Sequence, residues 1–341
     1  MRDYYEPKFL RGVIQKVLPL RMFFRTKFFA DTVTFTTETV SFEFAQDKRG
    51  LLPYANPHLP APVVDRKGYQ LKTFTPPLVS GSRSITPETT ASKLLGEVEW
   101  NSGISPDERA AKIAANDLME LQDRLFRREE YMCARVKQDG KLTLPHEEVD
   151  YGFTNIEATT AGNKWSSDYD ILKKLRSKAL ALRKDGTNPD MLILGSEAAL
   201  AFQSNEGIKE ALLNQTGYLV EPKDEDFNGA HFVCKLRVPG LYLDVYEYDE
   251  YYYDEATGQT LPVMDAGTAI LQSSRESNFM LFGAVSYVEN KSHVTAVGEY
   301  IPRTVWNEDP SVQKLIVESR PLPMPRDIES WAVMKNVAPS A

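Results

Sequence analysis

Between Pro106 and Lys137 the apolar residues Ala114, Leu118, Leu121, Leu125, Met132 and Val136 return at helical intervals, which predicts one long helix with a single buried face. Its ends are punctuated. Ser105 can cap, Pro106 suits the first helical position, Glu108 completes a capping box, and Gly140 stops the run. Glu108 with Lys112, Glu120 with Arg124 and Asp123 with Arg127 stand four apart as candidate ion pairs. At 1.5 Å per residue the helix is roughly 48 Å long, enough to span a domain. A second amphipathic helix is predicted from Asp168 to Lys184, with Leu172, Leu175, Ala179 and Leu182 on one face. Met191 to Leu194 then reads as a buried strand, and Ser196 as the cap of a short helix toward Phe202. Beyond Asn228-Gly229 the pattern turns to strands, from His231 to Val238, Leu241 to Tyr253, Ala269 to Leu271, Phe279 to Val288 and Val294 to Tyr300, before a proline-punctuated tail. Segregated helices and strands give an α+β class rather than a doubly wound sheet.

The N-terminal third is less regular. The run from Thr32 to Phe44 alternates like a strand with one buried face, and Tyr69 to Phe74 reads as another. Ahead of them Met22-Phe23-Phe24-Arg25 and Phe28-Phe29 make a dense aromatic cluster, which a monomer would bury in its own core and an oligomer could lay on a neighbour. From 50 to 104, prolines at 53, 57, 60, 62, 76, 77 and 87 exclude a long helix and predict an extended loop. Ordered loops of that length are usually functional, and contact with another subunit is one way to hold one in place.

Composition narrows the function. The chain has 341 residues, 42% hydrophobic and 26% charged, as in folding, water-soluble proteins rather than disordered ones. The net charge of -8 is the wrong sign for a surface that grips nucleic acid throughout. Cys133 and Cys234 lie far apart, so neither a disulfide framework nor a zinc ribbon is encoded and a reducing compartment is expected. No apolar run has the length of a membrane span, and the first residues lack a signal-peptide pattern, so no membrane association is expected. The common nucleotide-binding, zinc-protease and esterase motifs are absent, and His58, His146, His231 and His293 lack metal-ligand spacing. The acidic run from Tyr242 to Glu255 is the best candidate for carboxylate chemistry, with Asp244, Glu247 and Asp249 as the centre of a hydrolase. Its other reading is a hairpin with a solvated acidic face, since it lacks a calcium-loop pattern and runs into Ala256-Thr257-Gly258-Gln259.

Taken in order, Met22-Phe23-Phe24-Arg25, Phe35-Thr36-Thr37-Glu38, Thr73-Phe74-Thr75-Pro76, the capped long helix, Val149-Asp150-Tyr151-Gly152 and Leu261-Pro262 resemble the lambda-type family of tailed-phage major capsid proteins. The resemblance runs through nearly the whole chain. It implies the tailed-phage capsid fold of the Hong Kong 97 type, with an N-terminal arm at 1–48, an extended loop at 49–104, a peripheral domain with a spine helix at 105–184, an axial domain at 185–285, and a return to the peripheral domain at 286–341. It further implies a non-enzymatic subunit, with no catalytic residue, cofactor or metal, that forms hexamers and pentamers and then an icosahedral shell around double-stranded DNA. Scaffold, portal and decoration proteins are the implied partners, and the host bacterial cytoplasm is the implied place of assembly. The main alternative is the carboxylate-dependent hydrolase centred on Asp244, Glu247 and Asp249, and a second is a host-encoded nanocompartment shell of the same fold. Phe23, Phe24, Phe28, Phe29, Arg66, Lys67, Lys72 and Phe74 are the expected subunit-contact residues.

Overall fold

The computed structural model describes residues 21–45, 69–86, 106–144, 147–213, 227–289, 292–307 and 312–339. Five helices are used below: α1 (Phe23–Phe28), α2 (Pro106–Asp139), α3 (Ile171–Asp185), α4 (Ser196–Ser204) and α5 (Glu206–Leu213). The chain divides into two compact units, the first made of Met1–Thr39, Thr75–Cys133 and Phe279–Met324, the second of Val40–Phe74, Ala134–Asn278 and Pro325–Ala341.

In the first unit Val312–Ser319 lies between Ile301–Asn307 and Val79–Ile85, antiparallel to both. Leu315 and Val317 from its inner face meet Ile85 and the Leu118, Leu121 and Leu125 stripe of α2, as the helical spacing predicts. Gly81 lets this sheet approach the helix closely, since an added Cβ would stand 3.0 Å from a methyl of Leu121. A second small sheet places Phe279–Phe282 between Asp31–Thr34, parallel, and Pro321–Met324, antiparallel. A hairpin of Val285–Glu289 and Ser292–Ala296 completes the unit.

The second unit is built on a six-stranded mixed sheet in the order Ile156–Ala158, Ala332–Lys335, Ala269–Gln272, Met191–Gly195, Leu241–Tyr248 and Ala230–Val238. One face carries α3, α4 and α5, packed through Ile171, Leu175, Ala179, Leu182, Phe202 and Ile208. Asp170 starts α3 by accepting the Lys173 N–H at 2.9 Å, and Gly186 ends it at φ 107°, a left-handed position that costs glycine little. The last turn of α2 sits in a polar corner of this unit, where the Trp331 indole N–H donates to the Lys137 carbonyl at 2.8 Å. The Lys137 ammonium lies 4.0 Å from the centre of that indole ring and pairs with Glu276.

Several expectations change on contact with the structure. The alternating run from Thr32 to Phe44 is two strands, Asp31–Thr34 and Val40–Ala45, in different sheets. Phe35 and four polar residues part them, where the Thr37 hydroxyl donates to the Thr39 carbonyl at 2.7 Å and the Thr37 carbonyl accepts from the Ala284 N–H. Leu241 to Tyr253 likewise breaks after Tyr248, and Phe279 to Val288 after Phe282. Ser196 is the first residue of α4, not its cap, a place held by Gly195. The proline-punctuated tail holds four further strands, with Pro321 and Pro323 in an edge strand. Helix α3 shares one core with Met191–Gly195 and with Ala332, Met334 and Val337.

Candidate functional surfaces

The aromatic cluster at the N-terminus folds as α1, too short to be stable alone, and its side chains point into the first unit. Phe23, Phe24, Phe28 and Phe29 are 0% exposed in the single chain, with Phe23 edge-on to Phe24 at 5.4 Å and to Phe28 at 5.6 Å between ring centres. Their surface is spent inside the subunit. The expected contact of these four rings with a neighbour is therefore replaced by core packing.

A buried polar clamp holds α1 in place. The Glu130 carboxylate, 1% exposed, accepts the Phe24 N–H at 2.9 Å and the Arg25 N–H at 2.8 Å, satisfying two of the donors that a helix start leaves unpaired. Beside it the Arg25 guanidinium donates to Glu129 at 3.2 Å, and the Tyr300 hydroxyl donates to the same carboxylate at 3.1 Å. Burial pushes the Glu129 carboxyl up to about 7, with Arg25 and Tyr300 pulling the other way. The Tyr300 hydroxyl is raised by burial and by the Glu129 charge. Glu129 and Glu130 were hidden in the sequence because they sit among the charged residues of α2, where acids usually face water.

The remaining expected contact residues fall in different places. Arg66 and Lys67 lie outside the described residues. Lys72 stands in the strand Tyr69–Phe74, opposite Phe42 of Val40–Ala45. Phe74 is buried in the second unit, its ring 5.7 Å from that of Tyr151.

The acidic run resolves into cross-strand pairs and a hairpin. Asp244 accepts from Arg237 at 2.8 Å, and Asp249 lies 3.3 Å from His231 on the same neighbouring strand. Burial raises the Glu247 carboxyl, and Asp249 adds to the effect. Strand alternation turns Asp244 and Glu247 to opposite faces, so the three acids do not converge on a substrate-sized space. Among the described residues no group of three His, Cys, Asp or Glu side chains is placed to hold a metal ion. No described helix is long and apolar enough to cross a membrane. The polar depression lined by Thr187, Asn188, Asp190, Ser273, Arg275 and Glu276 has its acids engaged, Asp190 by Ser274 and Glu276 by Lys137.

Among the described residues no catalytic constellation is assembled, and likeness to known proteins decides the assignment. The model of the phage major capsid protein E family matches residues 9–336, through both units. The chain belongs to that family. The major capsid protein of Escherichia phage lambda is 23% identical over 328 residues, covering 92% of each chain. That of Escherichia phage N15 is 22% identical over 344 residues, covering 96% of this chain and 97% of its own. Among solved structures, a protein assigned as the capsid protein of a prophage of E. coli CFT073 superposes with a TM-score of 0.69 at 17% identity, over 97% of this chain and 98% of its own. The capsid subunit of cyanophage A-1(L) gives 0.52 at 9% identity, over 94% of each chain. These two likenesses show the fold, the mixed α+β capsid fold of the Hong Kong 97 type. The role of the phage major capsid protein E family is structural rather than enzymatic. In this member the carboxylates that read as candidate catalysts are strand-surface charges, and the clamp around Glu129 is a fixture of the subunit's interior.

Proposed function

We propose that this chain is the shell subunit of a tailed-phage or prophage head, assembling into hexamers and pentamers and from these into an icosahedral container for double-stranded DNA. The observation that carries the reading is the family match from residue 9 to residue 336, which leaves neither unit unaccounted for. The physics of such a container suits the chain. Closed symmetry uses one surface repeatedly, so modest contacts accumulate over many copies. A net charge of -8 suits a wall that confines DNA without binding it tightly. In this reading residues 1–48 act as the N-terminal arm, 49–104 as the extended loop, 105–184 as the peripheral domain with α2 as spine, 185–285 as the axial domain, and 286–341 as the return. Arg66, Lys67 and Lys72 supply positive charge for contact with a neighbouring copy. Scaffold, portal and decoration proteins are the further partners, and assembly takes place in the cytoplasm of a bacterial host.

Light scattering and negative-stain microscopy of the purified full-length chain test the proposal. The expected result is hexamers, sheets or closed shells at micromolar concentration. A sharp monomer peak across that range would overturn it. Nucleic acid in particles recovered from an infected or induced host separates a phage head from a nanocompartment, which carries protein cargo instead.

A further inference from the structure

Two surfaces of the second unit are complementary in charge, and each has an exposed apolar centre. The first is a hairpin of Tyr251–Asp254 and Gln259–Pro262. Its base is pinned by the Asp249 N–H on the Gly229 carbonyl and the Val263 N–H on the Glu250 carbonyl, both at 2.9 Å. Its turn is ordered by Asp254, which accepts from the Ala256 N–H and the Thr257 hydroxyl, and by Gly258 at φ 68°. Strand alternation sends Tyr251 and Tyr253 to one face, 48% and 64% exposed, flanked by Asp249 and Glu255. A two-stranded hairpin holding two aromatic rings in water is a poor resting place for that much apolar area.

The second surface is the outer face of α3. Lys173, Arg176, Leu180 and Lys184 follow one another at three- and four-residue steps and form one exposed stripe, with Leu180 at 55% exposure between the cations. Lys174 and Lys178, one step around the helix, are neutralised by Glu157, whereas Lys173, Arg176 and Lys184 form no ion pair among the described residues. The Arg176 guanidinium stands over Gly240, at the start of the strand Leu241–Tyr248, and the hairpin departs beyond its other end. An eight-residue strand spans roughly 26 Å, so the hairpin of one chain does not reach its own Arg176.

We propose that the tyrosine face of this hairpin docks on the α3 stripe of a neighbouring copy, a head-to-tail contact that repeats around the capsomer. The proposal rests on the shell reading and adds the pair of surfaces that would hold adjacent subunits in register. Head-to-tail contacts of this kind close into rings when the rotation allows it. The anatomy favours a protein partner over nucleic acid, because each surface has an apolar centre, Leu180 or the tyrosine pair, inside a charged rim of opposite sign.

The test is charge reversal in the full-length chain, read by sedimentation velocity and negative stain at low salt. Lys173→Glu with Lys184→Glu, and separately Asp249→Lys with Glu255→Lys, should each lower the assembled fraction about tenfold, while the four changes together should restore it to within about threefold of the parent. Restoration also shows that the reversed subunits fold. Tyr251→Ser with Tyr253→Ser should lower assembly at every salt concentration, since salt does not screen an apolar contact. A helix variant that assembles like the parent, or a fourfold variant no better than either pair, overturns the proposal. So does a helix variant that assembles normally but no longer retains a DNA duplex of about 30 base pairs, which would make the stripe a nucleic-acid surface. A parent chain that never leaves the monomer overturns the shell reading itself, an outcome separate from these.

Discussion

Glu129 shows how one buried carboxylate sets a measurable property of the subunit. It is 0% exposed, with Arg25 and Tyr300 in contact, and Glu130 and Glu299 as the nearby acids. Loss of hydration outweighs the help of Arg25, so its carboxyl rises from 4.5 to about 7. Below about pH 4.5 the group is protonated in both folded and unfolded chains and has no effect on their balance. Between about 4.5 and about 7 the folded chain keeps a proton that the unfolded chain has lost, so stability falls as pH rises, by about 3 kcal/mol in all. Glu129→Gln carries no titrating proton. Urea unfolding at several pH values should show the parent losing stability across that window while the variant's profile is flatter by about that amount. Parallel profiles for the two proteins would mean that the group titrates normally and that the clamp is not dry. Phe24 gives a second check at this scale. Because it is fully buried in its own subunit, Phe24→Ala should cost about 3 to 5 kcal/mol of folding stability, seen in denaturation of the soluble subunit before any effect on assembly is measured.

Among the elements, those with a strong period and clear punctuation were legible. Helix α2 ends where Gly140 stands, at φ 63°, and Ala114, Leu118, Leu121, Leu125, Met132 and Val136 are all buried as their spacing implies. Of the expected ion pairs on its surface, Glu120 with Arg124 forms at 3.4 Å, whereas Asp123 and Arg127 form none among the described residues. Gly140 is also a packing position, since an added Cβ would fall 2.3 Å from the Cβ of Phe153. Gly140→Ala therefore combines backbone strain with a clash and should cost at least about 2 kcal/mol, measured as a lowered denaturation midpoint. Helix α1 was not legible, because its six residues carry no period and owe their helix to Glu130, more than a hundred positions away. The tail strands were hidden for a related reason. Pro321 and Pro323 read as breakers, yet at a sheet edge a missing N–H costs nothing. Strand pairing over such separations is tertiary information that a local pattern does not hold.

At the scale of the whole molecule, the order of short motifs was more informative than any single one, since it located the family while the chemistry of individual residues pointed only to a soluble α+β chain. Charge distribution carries the remaining prediction. The loop region holds Arg66, Lys67, Lys72, Arg83 and Lys93 against Asp65 and Glu88, while the segment from Glu221 to Glu255 is strongly acidic. Part of this imbalance is settled inside the subunit, where Arg83 pairs with Glu120 and Arg237 with Asp244. Of the remaining loop cations, Arg66, Lys67, Lys72 and Lys93, the adjacent Arg66 and Lys67 are the ones to test against an acidic neighbour. An exposed pair contributes only about 0 to 1 kcal/mol and is screened over about 8 Å at physiological salt, but repetition around a ring multiplies the effect. Reversing Arg66 and Lys67 to Glu should lower the yield of assembled particles at low ionic strength, because like charges would then face each other at every copy. The defect should shrink as salt rises and screening removes the new repulsion. Assembly equal to the parent at every salt concentration would show that the loop's positive charge has no part in holding neighbouring subunits together.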